Sequence, residues 1–173
     1  MSARRNIEIK ARVDSLDRVR QIALQIATER LGVLKQTDTF FACSSGRLKV
    51  RQFADGRAEL IAYQRADTPQ AKSSDYHLVR VEDGAALIAG LTSSLGTTQV
   101  VRKRREVFLY HNVRIHLDQV EGLGDFLELE SVVAPDFDES VARKRLAEAM
   151  DHLAVKSADL LESAYADMLA ASS

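Results

Sequence analysis

Five segments of this sequence alternate charged with apolar residues, and the charged side chains are of kinds that bind phosphate groups and metal ions. Successive side chains of a β-strand point to opposite faces, so each segment predicts a strand with one charged face. The charged positions are Glu8, Lys10 and Arg12, then Arg47, Lys49 and Arg51, then Lys103 and Arg105, then Arg114, His116 and Asp118, and last Glu128 and Glu130.

These side chains combine two kinds of chemistry. Arg and Lys form charge-assisted hydrogen bonds with phosphate oxygens, and a bound polyanion relieves the repulsion between clustered cations. Carboxylates beside them would repel a phosphate chain unless a hard divalent cation such as Mg²⁺ or Mn²⁺ bridges the two. The combination predicts a site for a metal–triphosphate complex.

The charged faces are compatible with two architectures. One is an open antiparallel sheet with a solvated charged face. The other is a closed barrel with the charges inside, for which eight candidate strands suffice. Because five strands carry dense charge of both signs, we predict an α+β fold: an eight-stranded, mainly antiparallel closed barrel with a charged lumen and helices packed outside. The predicted strands lie near residues 6–13, 34–42, 46–53, 57–66, 75–81, 98–110, 112–120 and 125–134.

Helical periodicity and capping chemistry predict four helices. Asp14 suits the N-cap of the first helix, Asp17 suits its first turn, and Gly32 is placed to terminate it. The other three helices are predicted near 83–96, 138–154 and 157–171.

Three short stretches predict connections between these elements. Asp55 and Gly56 predict a hairpin turn of type I′, in which both central residues have positive φ. The residues 122–124 predict a second hairpin turn. The stretch 67–74 lacks periodicity and predicts a mobile loop.

The overall composition limits the class of protein. The 173 residues suit a single domain over 1–173, and 24 basic residues balance 25 acidic ones. That balance argues against a general nucleic-acid partner, and the basic run 102–105 lies in a predicted strand. A lone cysteine, Cys43, and the lack of a long apolar run predict a cytoplasmic protein without a membrane partner. An apolar helix face leaves a homodimer open.

Taken in order, the motifs resemble those of the CYTH family, which groups class IV adenylyl cyclases with thiamine triphosphatases and inorganic tripolyphosphatases. The likeness covers nearly the whole chain and is closest to bacterial class IV adenylyl cyclase-like proteins. The matching segments are Asn6-Ile7-Glu8-Ile9-Lys10 for the Glu-x-Glu-x-Lys signature, Arg47-Leu48-Lys49-Val50-Arg51, Lys103-Arg104-Arg105, the stretch from His116 to Glu130 with its closing Glu-x-Glu, and a C-terminal segment around 162–169.

The resemblance implies a role for each matching residue. One or two Mg²⁺ or Mn²⁺ ions would be held by Glu8, Asp118, Glu128 and Glu130. The phosphates of ATP, thiamine triphosphate or tripolyphosphate would be bound by Lys10, Arg47, Lys49, Arg51, Arg65, Lys103, Arg105 and Arg114, with Arg80 a weaker candidate. Catalysis would depend on Lys10, Glu8 and Glu130. His116 is a candidate general base, although such a histidine more often completes the hydrogen bonds of a lumen.

Two departures from the family pattern leave the reaction open. Asn6 replaces the first glutamate of the signature, and the fifth strand offers Lys72, Ser74 and Asp75 instead of an Arg-x-Glu element. The resemblance therefore implies an adenylyl cyclase-like enzyme or a triphosphatase. The alternative is a sensor module that binds a triphosphate or polyphosphate without turning it over, because Asn cannot act as a base.

Overall fold

Eight strands close into an antiparallel barrel, as predicted. The computed structural model describes residues 4–65, 68 and 70–172. The strands are β1 (Arg4–Arg12), β2 (Glu29–Phe41), β3 (Arg47–Phe53), β4 (Ala58–Arg65), β5 (Lys72–Val81), β6 (Thr97–Tyr110), β7 (Val113–Val120) and β8 (Gly124–Val133). Around the barrel their order is β1-β5-β4-β3-β2-β6-β7-β8, and every neighbouring pair is antiparallel.

The main hydrophobic core lies outside the barrel wall rather than inside it. Two helices, α1 (Leu16–Ile26) and α3 (Glu139–His152), cover the outer faces of β1, β7 and β8. Ile7 and Ile9 of β1 are buried there together with Leu146 of α3. Each such side chain contributes about 1.5–3 kcal/mol on burial. Since the apolar face points outward under helices, the charged face lines the interior.

The first helix begins and ends differently from the prediction. Ser15, not Asp14, is the N-cap, and its Oγ accepts a hydrogen bond from the backbone N–H of Arg18 at 3.3 Å. The helix ends at Ile26, and Gly32 lies inside β2 at a β-bulge with φ of +97°. The prediction for Gly32 is wrong because β2 starts at Glu29 and pairs with β6 along its whole length, so the left-handed glycine bends a strand.

Two other predicted helices are confirmed. Helix α2 (Gly84–Leu95) begins after the N-cap Asp83 and ends at Gly96, which has φ of +79°. Helix α3 begins after the N-cap Asp138, whose carboxylate accepts from the backbone N–H of Val141 at 2.9 Å. No helix in the described part of the chain is long and apolar enough to span a membrane.

The predicted helix over 157–171 is wrong. The structure has a single 3-10 turn at Ser157–Asp159, an extended segment, and a short helix α4 (Tyr165–Ala171). The backbone N–H of Leu161 donates to the carbonyl of Lys10 at 2.8 Å, and Leu160 forms a bridge with Ala11. Pairing with β1 therefore replaces the helical hydrogen bonds, and it carries Tyr165 to one end of the barrel.

Two predicted connections also need correction. Asp55 keeps a negative φ, and only Gly56 is left-handed, at +88°. The backbone N–H of Gly56 donates to Phe53, as in a three-residue loop with a left-handed glycine, so the turn is not type I′. In the predicted loop 67–74, residues 72–74 belong to β5, whereas 67 and 69 lie outside the described residues. The turn at 122–124 is confirmed, with Leu123 N–H donating to Val120.

Candidate functional site

A cavity of about 410 Å³ occupies the lumen of the barrel, and most of its charged lining comes from the alternating segments of the sequence. One end is closed by the C-terminal segment. The ring of Tyr165 packs against Phe126, with their centroids 5.1 Å apart, and its hydroxyl donates to Asp118 at 2.8 Å. The opposite end carries Arg4 and Leu31, both of which line the cavity and are exposed. The lumen is therefore a tunnel closed at one end.

Asp38 organises the basic wall of this tunnel. Its side chain is almost fully buried and accepts from Arg51 Nε at 2.7 Å, Lys49 Nζ at 2.8 Å and Lys103 Nζ at 3.2 Å. Burial alone would raise the pKa of Asp38, but the three cations outweigh it and hold that pKa well below its usual range. One carboxylate thus orients three of the predicted phosphate-binding side chains.

The basic wall carries more positive charge than its own carboxylate neutralises. Burial lowers the pKa of Lys103 to about 7, and the neighbouring cations Arg105, Arg51 and Lys49 lower it further against the pull of Asp38. Burial and Arg51 likewise lower the pKa of Lys49. A bound polyanion would relieve this repulsion, since it supplies the negative charge that the wall lacks.

Arg105 is held on a second carboxylate. Its Nε and Nη2 donate to Asp118 at 2.7 and 2.6 Å, and Nη2 also lies 3.2 Å from Glu128. Asp118 is fully buried, and its Oδ2 accepts from Tyr165 as well. Burial would raise the pKa of Asp118, but Arg105 lowers it below its usual value. The two oxygens of Asp118 are thus engaged by Arg105 and Tyr165, and metal ligation by Asp118 stays a prediction.

An acidic cluster forms the opposite wall. One ligand atom each from His116, Glu128 and Glu130 lies within 4.8 Å of the others. His116 Nδ1 is 3.8 Å from Glu128 Oε1 and 4.0 Å from Glu130 Oε1, and this buried nitrogen has no hydrogen-bond partner among the described residues. An unpaired buried imidazole nitrogen beside two carboxylate oxygens fits a divalent cation such as Mn²⁺.

Glu8 completes the acidic wall. It lies opposite Glu130 in the β1–β8 register, and Arg65 Nη1 is 3.4 Å from its carboxylate. Burial, followed by the negative charges of Glu128 and Glu130, raises the pKa of Glu8 to about 7. A divalent metal bound close to these carboxylates would lower the pKa of Glu8, because its positive charge favours the ionised form.

Lys10 connects the acidic wall with the closed end of the tunnel. Its Nζ donates to Glu128 Oε2 at 2.7 Å and lies 3.6 Å from the centroid of the Tyr165 ring. Burial would raise the pKa of Glu128, but Lys10 and Arg105 hold it well below its usual range. The Oε2 atom of Glu128 therefore accepts hydrogen bonds from Lys10 and Arg105, whereas its Oε1 atom faces His116.

The other predicted residues lie at different places around the tunnel. Arg114 lines the cavity, 3.5 Å from Glu130, and Arg65 lines it beside Glu8. Arg47 is bound instead to Asp167 of α4 at 2.8 Å and is not part of the cavity wall. Arg80 is exposed.

Two central residues are absent from the sequence-based site. Asp38 could have been found as a lone carboxylate that alternates with Gln36 and Phe40 in its predicted strand. Tyr165 lies in the segment 162–169 that resembles the family's C-terminal helix, but the predicted continuous helix gives no reason to place its ring in the lumen. Asn6, in place of the first signature glutamate, is buried, and its Oδ1 has no partner among the described residues.

Comparisons with known proteins agree with this architecture. The profile of the CYTH domain matches residues 4–165. The PH1012 protein from Pyrococcus horikoshii OT3 is 24% identical with a TM-score of 0.83, over 94% of this chain and 98% of that one. A proposed adenylate cyclase from Vibrio parahaemolyticus is 20% identical with a TM-score of 0.77, over 95% and 97%.

The description of a more distant structure names an enzymatic activity. HpAC1 from Hippeastrum, described as having a dominant triphosphatase activity, is 12% identical with a TM-score of 0.67, over 98% of this chain and 96% of that one. No curated protein sequence matches this chain significantly. At these identities the structural likeness establishes the fold alone.

Proposed function

Because this chain belongs to the CYTH domain family, we propose that it is a metal-dependent enzyme acting on a triphosphate compound held in the tunnel. One observation carries the proposal: a wall of buried cations on Asp38 faces a wall of carboxylates around His116 in a single lumen. Buried charges of like sign are costly without a partner. A metal–triphosphate complex supplies a partner to both walls.

The phosphate chain would bind to cations that are already held in place. Asp38 fixes Lys49, Arg51 and Lys103, and Asp118 fixes Arg105. Side chains oriented before binding lose less conformational freedom when the ligand arrives. Such preorganised positive charge also stabilises the charge that develops on phosphate oxygens during phosphoryl transfer.

The metal would be held by Glu130, by the Oε1 atom of Glu128 and by His116, with Glu8 adjacent. A bound Mg²⁺ or Mn²⁺ supplies Lewis-acid chemistry to phosphate oxygens. Lys10 would contribute positive charge near the closed end of the tunnel, because Glu128 and the ring of Tyr165 fix its ammonium group.

Two reactions are consistent with this assignment. In a cyclase, the ribose 3′-hydroxyl attacks the α-phosphorus, the bond from that phosphorus to the bridging oxygen breaks, and pyrophosphate leaves. In a triphosphatase, water attacks a terminal phosphorus, the bond from that phosphorus to the bridging oxygen breaks, the diphosphate part leaves, and inorganic phosphate is formed. In either case the nucleophile loses a proton, and Glu8 and Glu130 are the lumen carboxylates proposed to accept it.

The test is a product assay with ATP, thiamine triphosphate and inorganic tripolyphosphate, each with Mg²⁺ and Mn²⁺. Cyclic AMP with pyrophosphate would identify a cyclase, and phosphate release would identify a triphosphatase. We expect Glu130→Ala to lower metal-dependent turnover at least about 100-fold. The control Glu121→Ala, at an exposed turn, should keep wild-type turnover. Full turnover in Glu130→Ala would contradict the metal assignment.

A second candidate function is triphosphate sensing without turnover. Asn6 favours it, since this buried residue stands where the family signature has a glutamate and it cannot take up a proton as a base. Tight binding without any product, together with turnover gained in Asn6→Glu, would support the sensor. Product from the wild-type protein would exclude it.

A further inference from the structure

Six apolar side chains line the lumen at the end that faces away from Tyr165. They project from five strands, and we call them the apolar collar: Leu31, Leu34, Phe53, Ile61, Leu78 and Val107. The lumen is therefore not polar throughout, which the alternation of charged residues in the sequence did not predict. Charged residues line this end as well, because Arg4 and Glu59 face the same cavity and Arg51, opposite Glu59, lies nearer the open end than Ile61.

The strand directions place the collar at the open end. Tyr165 contacts Lys10 near the end of β1 and Asp118 near the end of β7. In an antiparallel barrel the opposite end is formed by the start of β2 and the ends of β3, β5 and β6. Leu31 lies at the start of β2 and Phe53 at the end of β3. Leu31 and Phe53 thus lie at the end through which a ligand enters the tunnel, and Ile61 lies further inside, opposite Lys49.

The collar adjoins the cations of the basic wall. In the strand registers Leu34 lies opposite Arg105, and Ile61 lies opposite Lys49 on one side and Leu78 on the other. Residues opposite each other in antiparallel strands have Cβ atoms about 4.5–5.5 Å apart. A ligand whose phosphates reach the basic wall would therefore carry its other end past the collar.

Apolar surface at this position makes no favourable contact with an inorganic phosphate chain. Every phosphorus of tripolyphosphate carries negatively charged oxygens, which gain nothing from contact with Leu or Phe. Leu31 is 50% exposed, and Leu34, Phe53 and Leu78 are only partly buried. An organic group in the collar would remove this surface from water at about 25 cal/mol per Å².

We propose that the tunnel selects triphosphate esters, whose organic group lies in the apolar collar, over inorganic tripolyphosphate. The proposal rests on the proposed function, since it assumes that the basic wall binds the phosphates. A cavity of about 410 Å³ has the size of a site for a small organic ligand. ATP would present a neutral ring system to the collar, whereas thiamine triphosphate would present a cationic one. Comparing the two esters therefore shows whether the charge of the organic group affects binding in the collar.

The test measures dissociation constants by isothermal titration calorimetry in EDTA, with ATP, thiamine triphosphate and tripolyphosphate. We expect at least one ester to bind about tenfold more tightly than tripolyphosphate. In Leu31→Asn and Leu78→Asn that preference should fall by about fivefold or more, because the collar loses apolar contact area. The matched control is Leu24→Asn on the outer helix α1, where Leu24 is 52% exposed, and it should keep the wild-type preference.

Two results would overturn the proposal. One is tripolyphosphate binding to the wild-type protein as tightly as both esters. The other is a preference that stays within about twofold of wild type in both collar variants. These results concern selectivity and are independent of turnover. Failure of the proposed function would instead be seen as no binding of any triphosphate, or as no product from any of them with either metal.

Discussion

Removing the negative charge of Asp38 should destabilise the protein strongly. Asp38→Asn keeps the size of the side chain but leaves Lys49, Arg51 and Lys103 without their shared carboxylate. These four side chains are between 2% and 15% exposed, so solvent screens the uncompensated cations weakly. Breaking a buried ion pair by removing one partner costs about 3–5 kcal/mol. For a domain of this size that loss lowers Tm by about 10 °C.

The assay is urea denaturation of wild type and variant at pH 7, followed by circular dichroism. The control is Asp55→Asn, because Asp55 and Arg57 form an ion pair at 2.7 Å with side chains 54% and 66% exposed. An exposed pair contributes about 0–1 kcal/mol, so this variant should stay close to wild type. Saturating tripolyphosphate should recover part of the loss in Asp38→Asn, since it supplies negative charge to the same cations.

A free energy of unfolding within about 1 kcal/mol of wild type for Asp38→Asn would refute this reasoning. It would mean that the lumen solvates its cations well enough without Asp38. An equal loss in Asp55→Asn would refute it as well, because burial would then not be the cause of the cost.

Three further perturbations test separate parts of the tunnel. Burial lowers the pKa of Lys103 to about 7. Between pH 7 and 9 the unfolded chain therefore keeps a proton that the folded protein has released, and the free energy of unfolding should rise with pH by up to about 2 kcal/mol. An equal rise in Lys103→Gln, measured by urea denaturation, would contradict this. Tyr165→Phe should cost about 1–3 kcal/mol of unfolding free energy, because buried Asp118 loses a donor at 2.8 Å; a cost below about 0.5 kcal/mol would show that Arg105 alone satisfies that carboxylate. Mn²⁺ at about 100 times its Kd should add about 2.7 kcal/mol of stability in a thermal melt, and His116→Ala should reduce that gain; an unchanged gain would place the metal elsewhere.

Much of the fold could be predicted because two local rules act on neighbouring residues. The alternation of Glu8, Lys10 and Arg12 with apolar residues determines which face of β1 is charged, whatever the strand pairs with. The N-caps Asp83 and Asp138 start their helices through hydrogen bonds within three residues. Errors occurred where distant contacts overrode local preference. Gly32 suits a helix end, but pairing of β2 with β6 makes it a bulge.

The site was predicted less completely than the fold. The sequence places Lys49, Arg51, Lys103 and Arg105 on inward faces, yet it does not indicate which carboxylate each one meets. Asp38 lies 65 residues from Lys103, and their contact exists only because β2 pairs with β6 in one particular register. Metal ligation by Asp118 stays a prediction, and the structure adds that Arg105 and Tyr165 engage its oxygens.

The sequence by itself therefore determined strands with one charged face, since the period of two belongs to the strand and needs no partner. Closure of the barrel turns those faces into an interior. Only the tertiary structure decided how that interior is divided into a basic wall, an acidic wall and an apolar collar. It also decided that Tyr165 closes one end, because Leu161 gives up helical hydrogen bonds to pair with Lys10. These features depend on strand order, register and long-range pairing, which are set by the free energy of the whole chain.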